Sequence, residues 1–303
     1  MRQLQLALAL MLATSLPPWC PAPANEIQAQ IAGRVVFVPV RLNGRGPFQF
    51  IVDTGATETI VTPSTARAAG IATLPYPGLQ KKGIVGSLSA GNVSLTNLPV
   101  FIFDPPQALS LRLDEGINYG GILGYTFLSR FATTIDYSRS VVQFEPPAQA
   151  AAMSPATNSF LVPFRLVDRL IHVSGKVNRS GPLTFLLDTG SAEVLLSPPI
   201  AEQLKLKSQP LPSYPGARLT TLDQLSMGEA VVSHVSTLIH RPPGERIAGA
   251  TYDGIVGYPF LAGFVVTIRY DKALIRLTPE SRQDGTGRDA PPERPLPEPG
   301  RRR

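Results

Sequence analysis

The sequence is poor in the residues that build disulfide bonds and metal sites. Its 303 residues include one cysteine, Cys20, one tryptophan and three histidines. A single cysteine excludes a disulfide within the chain. His234 and His240 are six positions apart in a strand-like run, which would place them about 20 Å apart on an extended strand, too far for one metal ion. We therefore predict a chain without a disulfide, a bound metal or a cofactor.

Charged residues are also sparse. They make up 17% of the chain, the net charge is +6, and the basic residues form no dense stripe interleaved with aromatic ones. Without such a stripe we predict no nucleic-acid partner. Hydrophobic residues make up 43% of the chain, which is enough for a well-packed core. No stretch beyond the N-terminus is long and apolar enough to cross a bilayer, so we predict no stable membrane insertion.

The first 24 residues have the pattern of a secretory signal peptide. Arg2 supplies the positive end, Leu4–Ala13 is a mostly apolar run too short for an ordinary membrane span, and Ala22–Ala24 fits a small-x-small cleavage site. We predict that residues 1–24 are removed and that the mature protein is exported, to the periplasm or the medium. The alternatives are an uncleaved anchor and a buried N-terminal helix.

Glycine and proline are abundant, at 26 and 31 residues, and they accompany many Val, Ile and Thr residues. This composition favours short strands and turns over helices. Arg34–Leu42 and Phe48–Val52 are predicted strands on either side of a turn at Asn43–Pro47. Pro63–Gly70 fits one of a few short helices, because Thr62 can cap it and Pro63 suits its first position.

The chain contains an internal duplication. Gly46–Phe50 recurs as Gly181–Phe185, and Gly124-Tyr125 recurs as Gly257-Tyr258. Order, spacing and residue type all repeat with a period of 133–135 residues, which is far too long for a solenoid. The sequence therefore predicts two related domains.

The boundaries of these domains follow from composition. We predict an N-terminal lobe at residues 25–146, an Ala/Pro/Ser-rich linker at 147–158 and a C-terminal lobe at 159–278. The Pro/Arg-rich tail at 279–303 has too little apolar surface to fold, and we predict that it is disordered.

Two short segments carry the candidate chemistry. The apolar run Phe50–Val52 leads into Asp53-Thr54-Gly55, and Phe185–Leu187 leads into Asp188-Thr189-Gly190, 135 positions later. One such match alone would fit a structural aspartate in a turn, whereas two in matching surroundings indicate two halves of one site. Two carboxyl groups held close together share one proton, because like charges do not both ionise readily. The ionised group can activate water as a general base while the protonated group donates to a carbonyl oxygen.

Each of these segments is followed about 70 residues later by two apolar residues and glycine, at Ile122–Gly124 and Ile255–Gly257. With these motifs the chain resembles the aspartic peptidase superfamily of pepsin and the retropepsins, and most of all bacterial chains with two retropepsin-like repeats. The resemblance covers about residues 30–146 and 158–278. It implies an all-β, two-lobed acid-protease fold with pseudo-twofold symmetry.

The resemblance also assigns roles to the residues that match the motif. Asp53 and Asp188 would form the catalytic dyad. Thr54 and Thr189 would make hydrogen bonds across the symmetry axis. The carboxylates would be supported by two further residues, Gly55 and Gly190. The two apolar-apolar-Gly segments would pack behind the catalytic loops.

A flap hairpin is expected between each aspartate loop and the following apolar-apolar-Gly segment. We expect the tip of the first flap at Lys82–Ser87, and its counterpart at Gly216–Asp223. Tyr76 and Tyr214 occur in matching Tyr-Pro-Gly triplets, which we interpret as structural.

The resemblance implies an aspartic endopeptidase whose substrate is an extended polypeptide, paired with the protein by backbone hydrogen bonds. The alternative is a peptidase-like module that binds peptides without cleaving them. In a third arrangement, each lobe would pair with a lobe of another chain. The short linker and the complementary lobes favour pairing within one chain, so we expect a monomer.

Overall fold

The computed structural model describes residues 25–75, 81–104, 117, 119–153, 158–212, 214–240 and 252–280. These residues form 21 strands and four α-helices of four or six residues. The predicted all-β fold with short helices only is therefore confirmed. The predicted signal peptide and the predicted tail from residue 281 onward lie outside the described residues.

The first lobe contains eleven strands and two helices. The strands are β1 Glu26–Gln28, β2 Gln30–Ala32, β3 Val35–Leu42, β4 Arg45–Val52, β5 Ile60–Val61, β6 Thr73–Pro75, β7 Lys81–Ala90, β8 Val93–Ile102, β9 Tyr119–Leu123, β10 Ala132–Asp136 and β11 Val141–Glu145. The helices are α1 Pro63–Ala68 and α2 Tyr125–Leu128.

The second lobe repeats this order with ten strands. They are β12 Phe160–Val167, β13 Leu170–Val177, β14 Ser180–Leu187, β15 Val194–Leu196, β16 Gln209–Pro210, β17 Arg218–Met227, β18 Ala230–Ile239, β19 Gly254–Val256, β20 Phe264–Arg269 and β21 Leu274–Pro279. Its helices are α3 Pro198–Gln203 and α4 Tyr258–Leu261, with a short 3-10 helix at Tyr270–Lys272.

The two lobes have the same strand order. In the first it is β2-β3-β4-β9-β5-β8-β7-β6, with β3 also pairing with β7, and in the second it is β12-β13-β14-β19-β15-β18-β17-β16, with β13 also pairing with β17. In both lobes the strand that precedes the aspartate pairs in parallel with the apolar-apolar-Gly strand, as β4 with β9 and β14 with β19. The duplication predicted from the sequence is thus present in the topology.

A third sheet joins the lobes. It runs β1-β11-β10-β20-β21-β12 and is antiparallel throughout. At its centre β10 pairs with β20, and the hydroxyls of Thr134 and Thr267 are 3.0 Å apart across the junction. Because this sheet contains strands from both repeats, it fixes the lobes relative to each other.

Two arginines of the second lobe bind the described first part of the linker, residues 147–153. The Arg269 guanidinium, which is buried and paired with Asp271, donates to the carbonyl oxygens of Pro147 and Ala151. Arg276 donates to the carbonyl of Ala152. The last strand ends at Pro279, one residue beyond the predicted end of the second lobe. No helix among the described residues is long and apolar enough to cross a membrane.

The residue pattern of β4 explains how it delivers the first aspartate. Phe50 and Val52 are buried in the main core, whereas Ile51 belongs to a separate apolar cluster on the other face. Since strand side chains alternate with period two, Asp53 projects from the same face as Ile51. The predicted helix is also present as α1, with the hydroxyl of Thr62 accepting from the N–H of Thr65.

Candidate active site

The two Asp-Thr-Gly loops meet between the lobes. Asp53 and Asp188 directly follow β4 and β14, and their N–H groups donate to Leu123 and Val256 of β9 and β19 at 3.1 and 3.0 Å. Their two carboxyl groups lie close together, so that each affects the pKa of the other. Residues 135 positions apart in the sequence are therefore brought to one point on the pseudo-twofold axis.

Each aspartate carboxyl group is held by the glycine of its own loop. The N–H of Gly55 donates to Oδ1 of Asp53 at 2.8 Å, and the N–H of Gly190 donates to Oδ1 of Asp188 at the same distance. These bonds fix the side-chain orientation and favour the ionised form.

Glycine is required here for space. A Cβ atom on Gly55 would lie 2.6 Å from Cγ of Asp188, and one on Gly190 would lie 2.5 Å from Cγ of Asp53. Both distances are far below van der Waals contact, so no larger residue fits without separating the loops. Each glycine therefore supports its own aspartate and leaves room for the aspartate of the other lobe.

The threonines lock the loops together across the axis. Thr54 donates its hydroxyl to the carbonyl of Leu187 at 2.7 Å and accepts from the N–H of Thr189 at 3.1 Å. Thr189 makes the mirror-related bonds, to Val52 and from the N–H of Thr54, at the same distances. Both side chains are fully buried, so these four bonds are shielded from competing water.

The two carboxyl groups are electrostatically coupled. Burial raises the pKa of Asp53 well above its usual range, and the charge of Asp188 together with the hydrogen bond to it raises the pKa further. Burial also raises the pKa of Asp188, but the hydrogen bond to Asp53 and the N–H groups of Gly190 and Gly55 act to lower it. Because the pKa values of both groups are raised, the pair favours one proton shared between the two carboxyl groups.

The apolar-apolar-Gly segments lie directly behind the loops. A Cβ atom on Gly124 would be 2.1 Å from the carbonyl oxygen of Glu58, and one on Gly257 would be 2.3 Å from that of Ser191. The next residue in each segment donates its N–H to the loop, Tyr125 to Ala56 and Tyr258 to Ser191, both at 2.9 Å. This backing explains why small residues stand at both positions.

Two ion pairs between the lobes flank the dyad, and sequence reasoning missed both. Arg169 of the second lobe pairs with Glu58 of the first, and Arg34 of the first pairs with Glu193 of the second at 3.5 Å. The two arginines are 135 positions apart, as are the two glutamates. This shared offset of 135 positions was a signal in the sequence from which the two ion pairs could have been predicted.

The flap prediction was wrong in its position. Lys82–Ser87 lies inside β7, which pairs with β8 along its length, so it is no tip. Strand β7 also pairs with β6, and β17 pairs with β16. In the second lobe Tyr214 lies in the connection between β16 and β17, where its carbonyl oxygen accepts from the N–H of Ala217 at 3.0 Å. Tyr76 lies outside the described residues.

A small apolar cluster lies on the aspartate-bearing face of each lobe. The first contains Phe37, Ile51 and Ile122, and the second contains Leu186 and Ile255, all of them buried. Ile51 and Leu186 each precede an aspartate by two positions and so lie on the face from which its carboxyl group projects. In the second lobe the counterpart of Phe37 is His172, which is buried and stands edge-on to Tyr252.

The described residues contain no group of three His, Cys, Asp or Glu side chains that could hold a metal ion. The two carboxyl groups of the dyad can transfer protons, and they do so from a buried and rigid setting. This arrangement suits activation of water against a polarised carbonyl group.

Comparison with known proteins agrees with this geometry. A family model described as Aspartyl protease matches residues 38–127 and 173–260, which together make up more than half of the chain. Each match contains one aspartate loop and its apolar-apolar-Gly segment. No curated protein matches the chain significantly. The repeated match, on two lobes that share one site, shows that the chain belongs to the aspartyl protease family.

Proposed function

We propose that the protein is an aspartic endopeptidase in which Asp53 and Asp188 are the catalytic acid and base. The observation that carries this proposal is the pair of adjacent carboxyl groups, each from one lobe, held by mirror-related Gly and Thr hydrogen bonds. A module that only binds peptides has no need of two carboxyl groups that share a proton.

Both pKa values are raised, so the pair holds one shared proton. We place this proton on Asp53 at the start of the cycle, with Asp188 ionised. Asp188 takes a proton from water as the water oxygen bonds to the peptide carbonyl carbon, and Asp53 gives its proton to the carbonyl oxygen. Asp188 then protonates the amide nitrogen, a diol proton returns to Asp53, and the C–N bond breaks. The products are one carboxylic acid and one amine, and the dyad regains its starting state.

The substrate is an extended polypeptide between the lobes. By likeness to the family, we propose that it carries apolar side chains next to the cleaved bond. We also propose that the protein acts as a monomer and outside the cytoplasm, in the periplasm or the medium, as residues 1–24 suggest.

The test is cleavage of an unbiased peptide library between about pH 3 and 8, a range that spans carboxyl titration. Wild type is compared with Asp53→Asn and Asp188→Asn, which keep the side-chain shape and remove the shared proton. The proposal expects cleavage by wild type and none by either variant. Activity that survives in either variant would contradict the shared dyad, and peptide binding without cleavage at any pH would favour a binding module.

A further inference from the structure

Four tyrosines form mirror-related pairs between the lobes, close to the dyad. Tyr125 stands edge-on to Tyr270 with ring centroids 5.4 Å apart, and Tyr258 stands edge-on to Tyr137 at 5.6 Å. Tyr125 and Tyr137 belong to the first lobe, and their partners belong to the second. Each aromatic pair therefore crosses the boundary between the lobes.

The inner member of each pair is connected to a catalytic loop. Tyr125 holds Ala56, three residues after Asp53, and Tyr258 holds Ser191, three residues after Asp188. The outer members, Tyr137 and Tyr270, follow the central strands β10 and β20 of the joining sheet. The joining sheet is thus connected to each catalytic loop by a contact between two tyrosine rings and by the backbone hydrogen bond of the inner tyrosine.

Tyr137 and Tyr270 each bury a hydroxyl group in a way that destabilises the fold. The side-chain oxygens of both are buried, and within the described part of the chain neither has a hydrogen-bond partner. A buried hydroxyl without a partner destabilises a fold relative to phenylalanine of the same shape. The surrounding core uses phenylalanine at other buried positions, namely Phe127, Phe131, Phe144, Phe260 and Phe264. Retention of tyrosine at both mirror-related positions therefore requires a reason other than packing.

The charge of the dyad reaches these hydroxyls. Burial raises the pKa of Tyr137, and Tyr258 and Asp188 raise it further. Burial likewise raises the pKa of Tyr270, with further contributions from Asp53 and Tyr125. Each hydroxyl is therefore neutral and lies in the field of the aspartate from the opposite lobe.

The two carboxyl groups that neighbour the tyrosines in the chain have partners of their own. Asp271 is paired with Arg269, and Oδ1 of Asp136 accepts from Ser138 and from the N–H of Arg139. Tyr119 resembles the two tyrosines, because its hydroxyl is also buried without a partner among the described residues and the charge of Asp53 raises its pKa, after burial.

We propose that Tyr137 and Tyr270 are positioning residues of the dyad, in which each buried hydroxyl turns its dipole toward the carboxyl group of the opposite lobe and favours its ionised form. A hydroxyl without a fixed partner is free to rotate, and hydroxyl dipoles orient in the local field of a protein. In a buried site such a dipole acts more strongly than it would in water. The role of these residues in catalysis rests on the proposed peptidase function, whereas their effect on the two carboxyl groups does not.

The test deletes only the hydroxyls, with Tyr137→Phe, Tyr270→Phe and the double variant. The two aspartates are followed by NMR of 13C-labelled carboxyl carbons in the full chain, with signals assigned from Asp53→Asn and Asp188→Asn. Because the hydroxyls favour negative charge, their loss should raise both apparent pKa values of the dyad. We expect a rise of roughly half a unit for each single variant and more for the double variant.

Tyr214→Phe is the matched control, since it deletes the hydroxyl of an exposed tyrosine and should leave the dyad titration unchanged. Thermal unfolding should show the two Phe variants to be as stable as wild type or more stable. Apparent pKa values within about 0.2 units of wild type would overturn the proposal and make the tyrosines packing residues, because a change of that size is too small to tune the dyad. A fall in either value would overturn it as well.

Peptide cleavage, measured in parallel, separates the two proposals. If wild type cleaves peptides, the pH–rate profiles of the Phe variants should move to higher pH on both limbs. If wild type cleaves nothing but the titration shifts as expected, the peptidase function fails and the tuning of the carboxyl pair stands.

Discussion

The two lobes are nearly identical in the region where they contact each other, and they differ outside that region. The Asp-Thr-Gly loops, the threonine bonds, the glycine clearances and the arginine–glutamate pairs are each present twice. Every one of these features contacts its counterpart or the opposite lobe. A change on one side would therefore also disturb the other side.

Away from the axis the lobes diverge. In the first lobe, Thr126 accepts from the N–H of Thr59 and donates to its hydroxyl, whereas Val194 and Pro259 stand at these positions in the second. On the buried aspartate-bearing face, Phe37 of the first lobe corresponds to His172 of the second. The bonds between Thr59 and Thr126 stay within the first lobe, so the second lobe can differ there without disturbing the first. Symmetry between the two repeats is therefore retained where a single site needs residues from both of them.

The largest expected effect comes from filling the space at the axis. In Gly55→Ala and Gly190→Ala the new Cβ would lie within 2.6 Å of a carboxyl carbon of the other lobe. The loops must separate, and we expect kcat/KM for peptide cleavage to fall by at least about 100-fold in both variants. Gly263→Ala is the control, because its nearest neighbour is 3.6 Å away. Unchanged peptide cleavage by Gly55→Ala would contradict the close approach of the two aspartate loops.

Removal of the threonine hydrogen bonds should lower the free energy of unfolding strongly, and by the same amount in both lobes. Thr54→Val leaves the carbonyl of Leu187 and the N–H of Thr189 buried without partners. We expect the free energy of unfolding to fall by about 2–4 kcal/mol, and by a similar amount for Thr189→Val, measured by urea denaturation. The double variant should cost less than the sum, because the four bonds form one network. Full additivity would mean that the two sides are independent.

His172 should make the second lobe sensitive to acid. Burial lowers its pKa, and Arg165 lowers it further. The unfolded chain therefore binds the proton at higher pH than the folded chain, so stability is lost as the pH falls through about 6.5. His172→Phe should be more stable than wild type at pH 5 by a larger margin than at pH 8. Phe37→His should introduce the same sensitivity in the first lobe, and parallel pH curves for wild type and His172→Phe would contradict this account.

The smallest effects are expected at the ion pairs. The arginine side chains are about half exposed, at 44% for Arg34 and 49% for Arg169. Replacement by alanine should therefore cost up to about 1 kcal/mol of stability and less at high salt. Arg169→Ala should cost more than Arg34→Ala, because its guanidinium also lies 5.9 Å from the ring centroid of Tyr125. Equal costs in urea denaturation would exclude a contribution from the ring.

Much of the fold and the centre of the site could be predicted from the sequence. The repeat of Asp-Thr-Gly and of the apolar-apolar-Gly segments predicted two equivalent lobes and placed Asp53 and Asp188 together. Local signals were also sufficient for α1, where Thr62, Pro63 and Gly70 mark both ends of the helix. These features depend on short motifs with a direct physical meaning.

Features that depend on pairing between distant segments were missed. Glycines at positions 83 and 86 suggested a flap tip, but Gly83 lies in β7, where a Cβ would clash with Ile71 and Ile102. Glycine is therefore needed there for space and not for a turn. The pairing of Arg169 with Glu58 joins a hairpin turn of one lobe to the loop of the other, which local pattern does not reveal. The burial of His172 likewise follows from its place beside Leu186 in the sheet.

The central claim is that the two lobes of one chain form a single site. The most direct test mixes the Asp53→Asn and Asp188→Asn chains and measures peptide cleavage, beside wild type at a concentration where it elutes as a monomer. The account predicts an active wild-type monomer and a mixture as inactive as either variant alone, because no chain contains both aspartates. Recovered activity in the mixture would mean that lobes pair between chains, and it would contradict the account.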